Sequence, residues 1–111
     1  MPRPSLSLFF PAWNEEDYVE RAVSRAQHVL EKLSDDYEII IVNDASTDRT
    51  REIAEGLAAR DKHIRVVNHE VNQKLGGAMK SGMAASTKDI IIYSDMDLPF
   101  DLEEVSRALR L

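Results

Sequence analysis

The chain contains no cysteine, so disulfides and thiolate metal centres are excluded. A reducing compartment is compatible with that composition. Basic residues are not in excess: net charge is -6, and the lysines and arginines are scattered. No basic stripe marks a nucleic-acid surface, and no nucleic-acid partner is expected. No apolar run is long enough to cross a bilayer. Met1-Pro2-Arg3-Pro4 precedes a short apolar run without a signal-peptide cleavage pattern. Repeats, linkers and low-complexity segments are also lacking. What remains is 111 residues, 43% hydrophobic and 31% charged, the composition of one globular domain.

The most informative stretch is Ile90-Ile91-Ile92-Tyr93-Ser94-Asp95-Met96-Asp97. A run of β-branched residues reads as a central strand buried on both faces of a parallel sheet. It ends in two carboxylates, and ligands of open α/β sheets sit beyond the carboxyl ends of strands. Two carboxylates about 5 Å apart repel by about 3 kcal/mol at an effective dielectric near 20. A hard divalent cation would turn that repulsion into attraction. In a chain this rich in Asp, about one Asp-x-Asp arises by composition, and two solvated turn acids before Pro99 would look the same. If the strand conformation persists, Met96 points away and both carboxylates share one side.

The rest of the chain alternates. Ser5–Phe10 reads as a strand stopped by Pro11. Asn14 reads as an N-cap, with Glu15, Glu16 and Asp17 in the first helical turn, where the helix dipole favours acids. Val19, Ala22, Val23, Ala26, Val29, Leu30 and Leu33 recur at helical spacing, and Ser34-Asp35-Asp36 ends the helix. Glu38–Val42 is a second strand, running into the turn cluster Asn43-Asp44-Ala45-Ser46-Thr47-Asp48. Ile53, Ala54, Leu57 and Ala58 mark the next helix. Ile64–Asn68 is a third strand. Gly76-Gly77 opens a small-residue helix with Met79, Gly82, Met83 and Ser86, able to pack closely on a sheet or to approach a phosphate. Asp101 and Glu104 resemble a capping box before a helix carrying Leu102, Val105 and Leu109. His28, His63 and His69 have no metal-ligand spacing and read as surface residues. Lys74 and Lys80 read as solvated, with phosphate contact as the alternative.

This β-α-β-α-β-α-β-α alternation predicts an α/β fold, a parallel sheet of order 3-2-1-4 with helices on both faces. Asn14-Glu15, Asn43-Asp44 and Asp95-Met96-Asp97 then converge on one sheet edge. Independent helix caps would give the same residues. A phospho-receiver domain would need an acidic pair after the first strand and an Asp after the third. Asn14-Glu15 and Asn68-His69 stand there instead.

Four ordered segments carry a resemblance: Phe10-Pro11-Ala12-Trp13-Asn14-Glu15-Glu16, Ile41-Val42-Asn43-Asp44-Ala45-Ser46-Thr47-Asp48, Asn72-Gln73-Lys74-Leu75-Gly76-Gly77-Ala78 to Gly82, and Tyr93-Ser94-Asp95-Met96-Asp97. Together they resemble the N-terminal, nucleotide-sugar half of family 2 glycosyltransferases with the GT-A, Rossmann-like fold. The branch most similar is that of dolichol- or polyprenyl-phosphate sugar transferases. The resemblance implies that Pro11, Trp13 and Glu15 hold base and ribose, and that Val42 and Asp44 meet the base. It places Asp95 and Met96 against the nucleotide, and Asp95 and Asp97 on Mg²⁺ or Mn²⁺. Trp13 replaces the usual Tyr, Asn43 the first Asp of a pair, and Lys74 a frequent Gly. The implied function is the donor-binding part of an inverting enzyme taking a UDP- or GDP-sugar, with a polyprenyl phosphate as candidate acceptor. No residue is assigned as catalytic base. The alternative is a non-catalytic nucleotide-binding or oligomeric interaction module. Residues 1–111 are expected to be a single nucleotide-sugar-binding domain, cut before the acceptor-binding half. Self-association is expected, as is a place in the cytoplasm or at the cytoplasmic face of a membrane.

Overall fold

The computed structural model describes residues 3–97. Its elements are β1 (Leu6–Ala12), α1 (Val19–Leu33), β2 (Tyr37–Asp44), α2 (Thr50–Arg60), β3 (Ile64–His69), α3 (Lys74–Ala85) and β4 (Ile90–Tyr93). The strands are parallel, in the order β3-β2-β1-β4, as the alternation predicts. The capping box at Asp101–Glu104 and the helix expected to carry Leu102, Val105 and Leu109 lie outside the described residues.

Side-chain alternation along β1 and β2 divides the interior. Leu6, Leu8, Phe10, Ala12, Ile39 and Ile41 face α1 and α2, where Val19, Val23, Ala26, Leu30 and Ala54 complete the larger core. Phe9, Ile40 and Val42 face α3 through Ala78. α1 buries one stripe of apolar residues, as its spacing demands. On the other face α3 lies close to the sheet. A Cβ added at Gly82 would fall 2.2 Å from the Phe9 ring, so only glycine permits this approach.

Two expectations need correction. The strand buried on both faces is β2, all of whose residues are buried. β4 is instead an edge among the described strands, paired with β1 alone. Ile90 and Ile92 pack on the larger core, but Ile91 and Tyr93 are 42% and 60% exposed. α3 packs over β1 and β2, and β4 lies beyond that cover. β1 also runs through Pro11 rather than stopping there. The Phe9 carbonyl accepts the Ser94 N–H, so Phe9, and Pro11 two residues on, direct their backbone polar groups towards β4. β4 pairing has ended at Tyr93, so the missing proline N–H removes no ladder bond.

A buried carboxylate holds the amino-terminal edge of the sheet. Glu38 accepts from Ser7 Oγ (2.6 Å), from the Thr87 N–H (2.7 Å) and hydroxyl (2.9 Å), and from Arg65 Nη2 (2.8 Å). Ser7 Oγ in turn accepts the Lys88 N–H, so this cluster sets where the chain enters β4. Burial alone would raise the Glu38 pKa; the hydrogen bonds from Ser7, Thr87 and Arg65 outweigh it and hold it at about 2. The folded value lies below the unfolded one. The stabilisation is therefore complete above about pH 4.5 and is lost as pH falls towards 2. Glu38→Ala should destabilise the protein by about 2–3 kcal/mol at pH 7, leaving buried donors unpaired. The difference from wild type should shrink in chemical denaturation at pH 3; a difference independent of pH would contradict the assignment.

Candidate functional site

The carboxyl ends of the strands surround a cavity of about 620 Å³, within the range of small-molecule sites. Pro11, Ala12, Trp13 and Glu15 line it after β1, Asp44 after β2, and Asp95 after β4. Asn72, Lys74, Leu75 and Ala78 close it from the β3–α3 loop and α3.

The turns that build this rim are locked to each other. Asn14 adopts a left-handed backbone, φ 51°, and does not cap α1. Its Oδ1 accepts the Thr47 N–H at 2.8 Å, and its own N–H donates to Ser46 Oγ at 3.0 Å. The Glu15 N–H donates to Thr50 Oγ1, and the Arg49 N–H to Glu16. α1 therefore starts at Val19, whose N–H reaches the Glu15 carbonyl, and the acids expected in its first turn lie before it. Asn43, where the resemblance implies an Asp, also has a structural task. Its amide donates to Asn68 Oδ1 (2.9 Å) and accepts the Ser46 N–H (3.1 Å). An ionised aspartate cannot donate, so it could not make the first of these bonds.

Asp44 is 3% exposed. Its Oδ1 accepts the Gln73 N–H at 2.7 Å and lies 2.8 Å from His69 Nδ1, while its carbonyl accepts from Asn72. His69, expected at the surface, is thus interior, and so it belongs to the site. The spacing of the histidines gave no hint of this. The hint was that His69 ends β3, level with Asp44 in the sheet register.

Among the described residues, the non-glycine residues with positive φ are Asn14, Ala45 and Lys74 (51°, 58° and 65°). Asn14 and Ala45 stand in the turns that follow β1 and β2, and Lys74 opens α3 at the cavity. A left-handed conformation costs about 1–2 kcal/mol for an ordinary side chain, and such strain gathers at functional sites. It also explains why a glycine suits the position of Lys74. That lysine lines the cavity instead of projecting only to solvent.

Asp95 lines the cavity and is exposed, as is Asp97. The extended conformation does not persist: β4 stops at Tyr93, and Met96–Asp97 form a turn. Met96 is 4% exposed and packs in the larger core, Val42 is buried with Phe9, Ile40 and Ala78, and neither lines the cavity. The Glu15 pKa is raised by burial and then by the charges of Asp97, Asp95 and Asp48. Among the described residues no ion pair relieves Glu15, Asp95 or Asp97.

A sequence profile described as glycosyl transferase family 2 matches residues 7–111. The chain belongs to glycosyl transferase family 2. Over 110 residues, 95% of the chain, it is 34% identical to glycosyltransferase AglD of Haloferax volcanii, covering 18% of that protein. It is 31% identical to the undecaprenyl-phosphate 4-deoxy-4-formamido-L-arabinose transferase of Pectobacterium atrosepticum, covering 95% of the chain and 32% of that protein. The chain thus spans less than a third of the length of these curated relatives. The mannosyltransferase PcManGT from Pyrobaculum calidifontis, solved with GDP-Man and Mn²⁺, superposes with TM-score 0.81 at 21% identity, over 96% of this chain and 31% of that one. Glucosyl-3-phosphoglycerate synthase from Mycobacterium tuberculosis, solved with Mn²⁺, UDP and phosphoglyceric acid, gives 0.74 at 28% identity, over 96% and 39%. The sheet order and these superpositions establish a GT-A-like fold for this family 2 glycosyltransferase region.

The crowded acids have a consequence for stability. The Glu15 pKa is higher in the folded state than in the unfolded one, so its contribution is complete below the unfolded value and lost as pH rises through the folded value. Solvent screens these charges, so at pH 7, without divalent cations, Glu15→Gln should raise stability by no more than about 0.5 kcal/mol, a thermal melt higher by up to roughly 2–4 °C. A melt that falls instead would mean that the carboxylate is satisfied in the fold.

Proposed function

We propose that this region is the donor-binding part of an inverting glycosyltransferase. It takes a UDP- or GDP-sugar with Mg²⁺ or Mn²⁺, and the complete protein passes the sugar to an acceptor, a polyprenyl phosphate. The observation that carries this reading is the cavity itself. One opening brings together an exposed aromatic ring at Trp13, a hydrogen-bonded carboxylate at Asp44 and an acidic group at Glu15 and Asp95. Each suits one part of a sugar nucleotide. Trp13 offers a flat face to a base, and Asp44 accepts a base N–H. Asp95, with Asp97 beside it, attracts the cation that accompanies a diphosphate.

The donor chemistry fits a divalent cation shared with the ligand. Hard cations take oxygen ligands, and Asp95 and Asp97 supply carboxylates without an ion-pair partner among the described residues. Those residues include no cluster of three acids or histidines that would hold a cation alone. Diphosphate oxygens would complete the shell. When bound, the cation would neutralise charge developing on the nucleoside diphosphate leaving group. Lys74 supplies a further positive charge at the rim. The solved relative with UDP and Mn²⁺ supports the donor and the cation, and the relative named for undecaprenyl phosphate supports the acceptor class.

Titration calorimetry tests the reading. Mn²⁺ should bind weakly alone and at least about tenfold more tightly with UDP or GDP present, and Asp97→Ala should abolish that gain. Asp44→Asn should weaken nucleotide binding by about 1–3 kcal/mol while the protein stays folded. Metal binding equally tight without nucleotide, or unaffected by Asp97→Ala, would refute the assignment.

A further inference from the structure

Asp44, His69 and Ser81 form one hydrogen-bonded line through the interior. His69 Nδ1 lies 2.8 Å from Asp44 Oδ1, and His69 Nε2 lies 2.7 Å from Ser81 Oγ. The His69 and Asp44 side chains are 6% and 5% exposed. An ionised carboxylate only accepts, so Nδ1 must carry a proton and donate it; the Ser81 hydroxyl meets the far side of the ring and holds it in plane. The Gln73 N–H donates to the same Asp44 oxygen. Both bonds therefore fall on Oδ1. The second oxygen has no protein partner among the described residues, yet it is not sealed from solvent, and Asp44 lines the cavity.

We infer that His69, backed by Ser81, is a positioning residue that fixes the Asp44 carboxylate with its second oxygen towards the cavity, so that the site selects nucleobases bearing a ring N–H. The inference rests on the donor-binding reading above. Uracil N3 and guanine N1 carry a hydrogen that a carboxylate accepts. Cytosine N3 and adenine N1 present a lone pair to the same place, leaving the carboxylate unpaired and opposed. Uracil and cytosine are nearly the same size, so discrimination between them reports this contact and not the shape of the cavity. Among the described residues, removing the imidazole leaves only the Gln73 N–H on Oδ1. The carboxylate can then rotate and meet either edge.

An Asp–His–Ser line is also the order of a hydrolytic triad. Ser81 stands inside α3, behind the imidazole, and is not among the residues lining the cavity. Its hydroxyl is placed to orient the ring and not to attack a ligand.

The test measures UDP and CDP binding by calorimetry, with Mn²⁺, in wild type, His69→Leu, His69→Asn and Asp44→Asn. Wild type should prefer UDP by about tenfold or more, and His69→Leu should bring the ratio near one. Asn places an amide N–H where Nδ1 stood, so His69→Asn should recover most of the preference; a residue with a purely structural role would change melting temperature and leave the ratio alone. Nitrogen-15 spectra of wild type should place a slowly exchanging proton on His69 Nδ1. If His69→Leu keeps the wild-type ratio while Asp44→Asn loses it, or if the ring proton is on Nε2 alone, the positioning role is overturned and the donor-binding reading stands. If wild type binds no nucleotide, the donor-binding reading fails, and this inference with it.

Discussion

A carboxylate removed from water must find hydrogen bonds or lose several kcal/mol. Asp44 is such a carboxylate, and much of the carboxyl edge is arranged to satisfy it. β2, buried throughout, delivers it to the edge. The Gln73 N–H ties it to the start of α3, His69 ties it to the end of β3, and Asn72 holds its carbonyl. These bonds fix the β3–α3 loop over the cavity, and with it Lys74 and Leu75. Glu38 does the same at the opposite edge, where it anchors the entry to β4. The sheet is thus pinned at both ends by buried acids: Glu38 by Ser7, Arg65 and Thr87 from three segments of chain, and Asp44 by the end of β3 and the loop that follows it.

The rim is less comfortable than the core. Glu15 feels the charges of Asp95 and Asp97, none of the three has a cationic partner among the described residues, and positive φ angles fall at Asn14, Ala45 and Lys74. Both features oppose folding. Their coincidence around one cavity is what a binding site looks like when the ligand supplies the missing charge. The apolar interior below shows neither.

The sheet order was legible because it follows from alternation and helical spacing, which depend on local sequence. Asp44 and Asp95 were legible as strand-end acids. Three things were not. The run Ile90–Ile92 reads as doubly buried, but periodicity cannot say whether a neighbour covers the second face, and among the described strands β4 pairs with β1 alone. Asn14 is a good helix cap by residue type, yet a turn from another part of the chain competes for its side chain and wins it. Glu38 and His69 carried no signal because their partners are remote: Thr87 and Ser7 for one, Asp44 for the other. Polar residues with long-range partners are invisible to any reading that moves along the chain.

The central claim is that one cavity holds base and diphosphate at once, with Asp44 on the base and the acids after β4 on the cation. A crystal structure of the protein with UDP and Mn²⁺ tests it directly. The account predicts the uracil N3–H within hydrogen-bond distance of the second Asp44 oxygen, the ring against Trp13, and Mn²⁺ held at Asp95 and Asp97. A nucleotide bound elsewhere, or bound here with the base away from Asp44, would contradict it.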